Sequence, residues 1–404
     1  MAVACVGGAV MLFGAIWQHL LPHSGVFDLP IILSIIGLGV LIFGISSLAG
    51  KKKDAENVVF SGKRVGKIAL DNAIILAMLL FIVSLCIIKP NFMQVEVITG
   101  ILQQASPKMF IALGVCFSLI IAGTDLSAGR LVAVSGVVVA SLLQKDDFTS
   151  KFFPNLPHLW IVIPILAAIA VCMLFGTLNG FLVAQFKMHP FIATLATQVI
   201  AYGAVSLYFS KPPTNGQPIG QLREDFKVIG QTRLAQGWDW IDKALGANFS
   251  GLSILVLYAI AACVIIWFVL NKTTFGKNVY AVGGNPEAAR VSGVNSYKTI
   301  MLVFIIGAVM YAIGGILEAS RGDGATNNLG NGYELDAIAA CVVGGVSLSG
   351  GVGKVKGIII GVLIFQVIAY GLVFIGVSPY YQQIIKGIII AAAVALDLAK
   401  YNKS

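Results

Sequence analysis

Residues 252–319 read LSILVLYAIAACVIIWFVL, then NKTTFGKNVYAVGGNPEAARVSGVNSYKT, then IMLVFIIGAVMYAIGGILEA. The outer two runs, 252–270 and 300–319, carry a single charge between them, Glu318. Each is close to the roughly 20 apolar residues that a helix needs to cross a hydrocarbon core about 30 Å thick. Inside a bilayer every backbone polar group must be satisfied within the segment, so runs of this kind are helices. The middle run is different in kind. It carries Lys272, Lys277, Glu287, Arg290 and Lys298, and it must lie in water between two crossings.

The same contrast extends over the chain. Of 404 residues, 58% are hydrophobic and 11% charged, where soluble domains carry roughly a quarter charged. With a mean hydropathy of +0.91, a soluble globule is excluded and an all-α polytopic membrane protein is expected. Spans are predicted at 1–20, 30–49, 68–88, 97–122, 128–143, 160–184, 191–209, 252–270, 300–319, 335–347, 357–375 and 382–398. An even number of spans puts both termini on one side. The stretches 128–143 and 335–347 are short, and read as broken or re-entrant helices. Such backbone survives at membrane depth only where protein or a water-filled cavity covers it, which points to transport rather than catalysis. The first 20 residues lack a basic leader and a small-residue cleavage site, and read as a span rather than a removed signal.

Orientation follows from the basic loops. Lys51, Lys52, Lys53, Lys63, Arg64 and Lys67 crowd one connection, Lys272, Lys277, Arg290 and Lys298 another, and Lys400 with Lys403 the end. All fall on one side of a twelve-span arrangement, and the positive-inside rule makes that side cytoplasmic. The net charge of +9 is therefore an orientation signal and not a sign of nucleic-acid binding. Residues 210–250 fall opposite and read as an external cap loop. Trp238 and Trp240 within it are candidates for docking a partner, although aromatic residues at a membrane face are more commonly interfacial anchors.

The loop 271–299 holds the sharpest local signal. Asn285 suits an N-cap, Pro286 the first helical position, and Glu287 the positive end of the helix dipole; Ala288, Ala289 and Arg290 continue the turn and Gly293 ends it. A short helix is expected outside the bilayer, either a knob for a soluble partner or a well-capped loop with none; spacing leaves both open.

Polar residues at membrane depth are costly, and each is a candidate. Asp125 and Arg130 flank a glycine-rich break and are close enough in sequence to pair across it. The pattern Gly-x-x-Leu-Ser-x-Gly of residues 123–129 returns at 345–351, each copy following an apolar segment, as in transporters built from internal repeats. Ser127 and Ser349 can satisfy backbone groups freed at these breaks. Pro107, beside Lys108, is expected to kink the span 97–122 and expose carbonyls, with Gln103, Gln104 and Ser106 next to it as pathway candidates. Asn179 lies on a small-residue face, a setting that suits interhelical contact. Asp125, Ser127 and Asn179 join the pathway candidates. Between two later spans Glu318, Arg321, Asp323, Asn327, Asn328, Glu334 and Asp336 gather on the outer side, as an external gate, a docking surface or solvated loop charge.

Other chemistry is poorly supported. The six cysteines stand singly in apolar stretches, and His19 with His23 has no third ligand, so no metal site is expected. Residues 350–355, Gly-Gly-Val-Gly-Lys-Val, lack the glycine spacing and the Ser or Thr of a phosphate-binding loop, so the chain should not hydrolyse ATP itself. Energy then comes from a partner or from an ion gradient. An ion-coupled secondary transporter would need a titrating or ion-binding membrane carboxylate, for which Asp125 is the strong candidate.

Several stretches in order resemble a known family. Glu287-Ala288-Ala289 followed by Gly293 is similar to the coupling loop of ABC importer permeases, and Phe275 to Val294 resembles the ribose, xylose and galactose permeases. Gly123 to Gly129, Gly176 to Gly180, Pro190 to Leu195 and Tyr333 to Gly353 agree. Gly123-Thr-Asp125, Ala325 to Gly330 and Ala393 to Tyr401 look most like the galactose and methyl-galactoside branch. The resemblance runs from about residue 68 to the end. It implies a ten-span permease transmembrane domain over 68–404, with 1–67 left over as a two-span extension and basic linker. It implies import of a monosaccharide, galactose, methyl-galactoside or a related sugar, across a bacterial cytoplasmic membrane with both termini cytoplasmic. The implied partners are a cytoplasmic ATPase that binds the ATP and Mg and docks on residues 285–293, an extracytoplasmic sugar-binding protein, and a second permease subunit, forming a homodimer; no cofactor is expected in this chain.

Overall fold

The computed structural model describes residues 81–87, 89–236 and 250–401. The spans expected at 1–20 and 30–49, most of that at 68–88, and Trp238 with Trp240 lie outside the described residues. Nine expected spans appear as helices, and two further helices were unexpected. In chain order they are α1 (Val95–Ile120), α2 (Ala128–Leu142), α3 (Val162–Phe186), α4 (Pro190–Phe209), α5 (Glu224–Gln231), α6 (Ile254–Lys272), α7 (Thr274–Gly284), α8 (Pro286–Val291), α9 (Ser296–Gly322), α10 (Tyr333–Val343), α11 (Val355–Phe374) and α12 (Pro379–Tyr401). Among the described residues, α3, α4, α6, α9 and α11 are long and apolar enough to cross a membrane.

The chain forms two compact units. The first holds the residues before 99 and after 363. In it Phe92 meets Phe374 edge-on, with ring centroids 5.5 Å apart. Leu85 fills the space beside Gly371, where a Cβ would come within 2.4 Å of the leucine side chain.

The second unit, residues 99–363, is built around α2. Twelve of the fifteen residues of α2 are buried, so it is an interior helix and has no lipid-facing side of any width. At about 1.5 Å per residue it is roughly 22 Å long, shorter than the bilayer core. The 11-residue α10 is shorter still. Around α2 pack α3, α4 and α9. The closeness of α3 to α9 depends on a missing side chain: a Cβ on Gly176 would stand 2.5 Å from Ala308 Cβ and 2.7 Å from the Phe304 carbonyl oxygen. Small residues allow this approach where helices gain nothing from hydrophobic exclusion.

Helix ends sort onto two faces. On the loop face lie the end of α1, the start of α4, and α7 with α8. On the cap face, the loop after α4 folds back as a built structure. Strand β1 (Ile219–Gly220) pairs with β4 (Gly324–Ala325), β2 (Arg233–Leu234) pairs with β3 (Leu252–Ser253), and Gln144 bridges to Leu222. The cap helix α5 is held on α9 by Ser320 Oγ donating to the Phe226 carbonyl at 2.7 Å and Gln231 Nε2 to the Ser320 carbonyl at 3.3 Å. Residues 210–236 are therefore tied down at several points.

Helix α1 is continuous through Pro107, from Val95 to Ile120. Beside it Ser106 Oγ donates to the Leu102 carbonyl at 2.7 Å, a back-bond of the kind that bends helices. One expectation needs correction: Asp125 and Arg130 do not pair. Asp125 bonds within its own break and to α9, while Arg130 Nη2 donates to Asn331 Oδ1 at 2.8 Å.

Candidate functional site: the loop-face junction and the polar interior

The loop between α6 and α9 contains two helices where the sequence suggested one. Thr273 caps α7, its Oγ1 accepting from the Gly276 amide at 3.1 Å. Asn285 caps α8, its Oδ1 accepting from the Ala288 amide at 3.0 Å, with Pro286 at the first position. Helix α8 ends with Gly293 at φ +83°, a left-handed conformation that glycine adopts without steric cost. The amides of Gly293 and Val294 bond back to the Arg290 and Ala289 carbonyls at 3.0 Å each, closing the turn. Only Ala289 of this helix is buried. Glu287 and Arg290 pair with each other at 3.1 Å across one exposed turn, and Val291 is 84% exposed. The short helix is thus a fixed knob with an apolar side chain in solvent.

Helix α7 seats this knob on the end of α1. Phe275 lies 6.1 Å from Phe117, ring centre to ring centre. Tyr280 donates its hydroxyl to the Gly353 carbonyl at 2.8 Å. Burial pushes its phenol up to about 12, so it stays a neutral donor at physiological pH. The closest contact is at Gly283, where a Cβ would stand 1.7 Å from the Ile120 carbonyl oxygen and 2.9 Å from the Gly351 amide nitrogen. That amide donates to the same Ile120 carbonyl at 2.8 Å. Three backbones therefore meet at one point: α7, the end of α1, and the loop between α10 and α11.

The end of α1 and that loop carry the two copies of the glycine–leucine–serine pattern, and their geometry agrees in detail. After α1 the amides of Ala122 and Gly123 bond to the carbonyls of Leu119 and Ser118; after α10 those of Gly345 and Val346 bond to Val342 and Cys341. Both are the same helix-ending motif. Beyond it, the Ser127 amide donates to Asp125 Oδ1 at 3.0 Å and the Ser349 amide to Ser347 Oγ at 3.1 Å, at matching positions of the pattern. The helix ends are one residue out of step, at Ala122 and Gly345.

Asp125, Ser127 and Asn179 come together as one buried network. Ser127 Oγ donates to Asp125 Oδ1 at 2.6 Å, Asn179 Nδ2 donates to Ser127 Oγ at 2.9 Å, and the Tyr311 hydroxyl donates to Asp125 Oδ2 at 3.1 Å. All four residues are essentially inaccessible. Beside them Thr194 Oγ1 accepts from the Leu126 amide and donates to the Thr124 carbonyl, fastening the break to α4. This arrangement locks the break.

The other pathway candidates stand apart from it. Ser106 lines an apolar groove of about 520 Å³ between α1, α6 and the start of α11, with Trp267 and Lys356 on its wall. Gln103 and Gln104 are half-buried on α1. Of the docking or gate candidates, Asn327 donates to Ser206 Oγ at 3.1 Å, Asn328 is exposed with its backbone amide donating to Thr326 Oγ1 at 3.3 Å, and Asp336 is half-buried. Glu334 belongs to the interior at 6% exposure. Neighbouring Glu318 pairs with Arg321 at 2.8 Å. Helix α7 and its contact residues Tyr280 and Gly283 had escaped the sequence reading; the signal was Thr273 at capping distance from Gly276, obscured by three glycines in twelve residues.

Comparisons with known proteins bear on this geometry. The family described as "Branched-chain amino acid transport system / permease component" matches residues 97–394. The chain is 46% identical to the galactose/methyl galactoside import permease protein of Haemophilus influenzae, over 82% of this chain and 95% of that protein. It is 46% identical to the protein of that name in Escherichia coli K12, over 78% and 90% of the two chains. It is 34% identical to the E. coli K12 ribose import permease protein, over 81% and 93%. No solved structure gives a match.

Proposed function

The chain belongs to the family of transport-system permease components matched over residues 97–394, and from that premise we propose that it carries galactose, methyl galactoside or a closely related sugar into the cytoplasm. It is a membrane-spanning permease subunit of an ABC importer, a transporter and not an enzyme, whose ATPase is a separate subunit. The sugar is proposed from the named function of relatives 46% identical over most of both chains.

The observation that carries the mechanism is the three-backbone junction at Gly283. In the proposed complex the ATPase, holding ATP and Mg, docks on α8, around Glu287, Arg290 and Val291. Any displacement of α8 passes through α7 to the end of α1 and the loop between α10 and α11 at once, because Gly283, Ile120 and Gly351 leave no space for slack. Exposure of the path then alternates with the state of the ATPase, since a partner shifts an equilibrium only by binding its two states differently. The cap over residues 210–236, fixed to α9 and β4, offers the landing surface for an extracytoplasmic sugar-binding protein, with the exposed Asn328 as a contact.

The remaining architecture follows the same reading. The core is a ten-span domain over 68–404 with an internal repeat hinged at 123–129 and 345–351; residues 1–67 add two spans and a basic linker. Two copies form a homodimer in the bacterial cytoplasmic membrane, with both termini cytoplasmic. The test is Glu287→Lys in the full transporter. The variant should reach the membrane at normal levels while sugar uptake and stimulated ATPase activity fall together, and normal uptake would refute coupling through α8.

A further inference from the structure

A third polar group lies in residues 99–363, apart from the locked Asp125 network and assembled from elements far apart in sequence. It comprises Arg130 on α2, Gln198 and Tyr202 on α4, Asn331 in the segment before α10, and Glu334 in the first turn of α10. Arg130 Nη2 donates to Asn331 Oδ1 at 2.8 Å, and the guanidinium lies over the Tyr202 ring, 4.4 Å from its centre. Gln198 Nε2 donates to Glu334 Oε1 at 3.4 Å. Two charged atoms are left over. Arg130 Nη1 and Glu334 Oε2 are buried and have no hydrogen-bonding partner.

Glu334 Oε2 lies against Gly129, the residue before Arg130 on α2, 1.9 Å from where a Cβ would stand; opposite charges so placed ordinarily close on each other, and leaving them apart in a poorly solvated place is unfavourable. Here Arg130 is turned to Asn331 and Glu334 to Gln198. The group that satisfies a spare guanidinium N–H and a spare carboxylate oxygen together is one that accepts and donates at once, a hydroxyl.

The position is mid-membrane. Counted from Pro190 at 1.5 Å per residue, Gln198 and Tyr202 stand about 12 and 18 Å along a helix about 30 Å long. The segment 326–332 reaches this depth as irregular backbone. It leaves the cap face at β4, packs Leu329 against Gly136 and Gly330 against Gly129 of α2, and passes into the short α10. Irregular backbone followed by a half-length helix at this depth is the usual construction around a transport path. Tyr202 is 39% exposed, and next to it Gly203 has nothing within 4 Å, so the group opens outward on α4.

We infer that Arg130, Gln198, Tyr202, Asn331 and Glu334 form a contact site for a neutral polyhydroxylated ligand, which on the function proposed above is the sugar in transit. One sugar hydroxyl accepts from Arg130 Nη1 and donates to Glu334 Oε2, and an apolar C–H face of the ring rests on the exposed part of Tyr202. A single bridged hydroxyl is a weak hold, suited to a site that must also release.

The test uses the complete transporter, permease with its ATPase and binding protein, in proteoliposomes supplied with ATP. Uptake of galactose and each of its monodeoxy analogues is measured for wild type and for Glu334→Gln. The ratio of variant to wild type for each sugar cancels the preference of the binding protein. The expected result is a fall of about tenfold for galactose and a ratio near unity for the one analogue lacking the bridged hydroxyl. An equal fall for every analogue, or none for any, overturns the site and leaves Glu334 as a structural residue or the holder of a bridging water. If Glu334→Gln does not reach the membrane, Tyr202→Ala and Tyr202→Phe decide: uptake should fall in the first and persist in the second, and equal uptake by both overturns the inference. Absence of ATP-dependent uptake by wild type would instead strike at the proposed function.

Discussion

Ser127 shows how much one side chain does in this protein. Its hydroxyl accepts from Asn179 on α3 and donates to Asp125, which is held in turn by Tyr311 on α9. Ser127→Ala leaves a buried amide donor and a carboxylate each short of a partner, a change that costs roughly 1–3 kcal/mol. The melting temperature of the purified protein in detergent should drop accordingly, with Asn179→Ala in the Ser127→Ala background adding little, because the two share one bond. A different residue governs the response to acid. Asp146, on the cap face, is held down at about 2 by hydrogen bonds from His158, 2.6 Å away, and from Lys151 at 3.0 Å. Its ordinary value is about 4, so the stabilisation is complete above that and is lost as the pH falls towards 2. Fluorescence of the adjacent Trp160 should report a loosening of residues 144–158 over that interval, and Asp146→Asn should remove the transition. Asn285, Pro286 and Gly293 could be read from residue identity, since each meets a backbone requirement that few side chains satisfy. Partners of Asp125 could not: Arg130 was nearest in sequence, but Tyr311 lies 186 positions away and became its neighbour only through the packing of α9 on α2.

At the scale of elements, the junction of α7 with the end of α1 and the loop between α10 and α11 makes a sharp comparison between adjacent glycines. A Cβ at Gly283 meets the Ile120 carbonyl oxygen at 1.7 Å, whereas at Gly284 it meets nothing within 4 Å. Gly283→Ala should therefore reduce uptake at least about tenfold and cut the ATPase response to the loaded binding protein, while Gly284→Ala leaves both near wild type; overpacking costs of this kind are on the order of 1–3 kcal/mol. Equal behaviour of the two would break the link between this contact and coupling. Helix existence was legible wherever the apolar run was long, as for α3, α6, α9 and α11. What resisted was the short and the irregular. Helix α7 is glycine-rich and amphipathic, with packing that no periodicity over eleven residues announces, and Pro107 lies within a helix that runs on from Val95 to Ile120. The shortness of α2 and α10 was legible, but not that α2 is enclosed on nearly every side.

For the whole molecule, the decisive question is the source of energy. In membrane vesicles containing the complete transporter, uptake should persist with a protonophore while internal ATP is maintained and cease when ATP is withdrawn. The reverse pattern would favour ion coupling. Sidedness gives an independent check. Lys277, Arg290 and Lys298 lie in the loop 271–299, so trypsin should cut there in inside-out vesicles and spare it in right-side-out ones. The basic loops predict this orientation because charge is set by where a segment can be translocated, whereas the polar group of Arg130, Gln198 and Glu334 depends on three distant segments arriving at one depth.

The Gly283 contact also separates two kinds of change. Its atoms are main-chain carbonyls and amides, indifferent to which side chains surround them, while the outward face of α8 shows Glu287, Arg290 and Val291 with no internal role to protect. On the docking proposed above, substitutions on that face would alter which ATPase is accepted without disturbing the transmission behind it. The plug would be re-cut while the wiring stays the same, so exchanging the exposed residues of α8 is then the direct route to a permease that answers to a different motor.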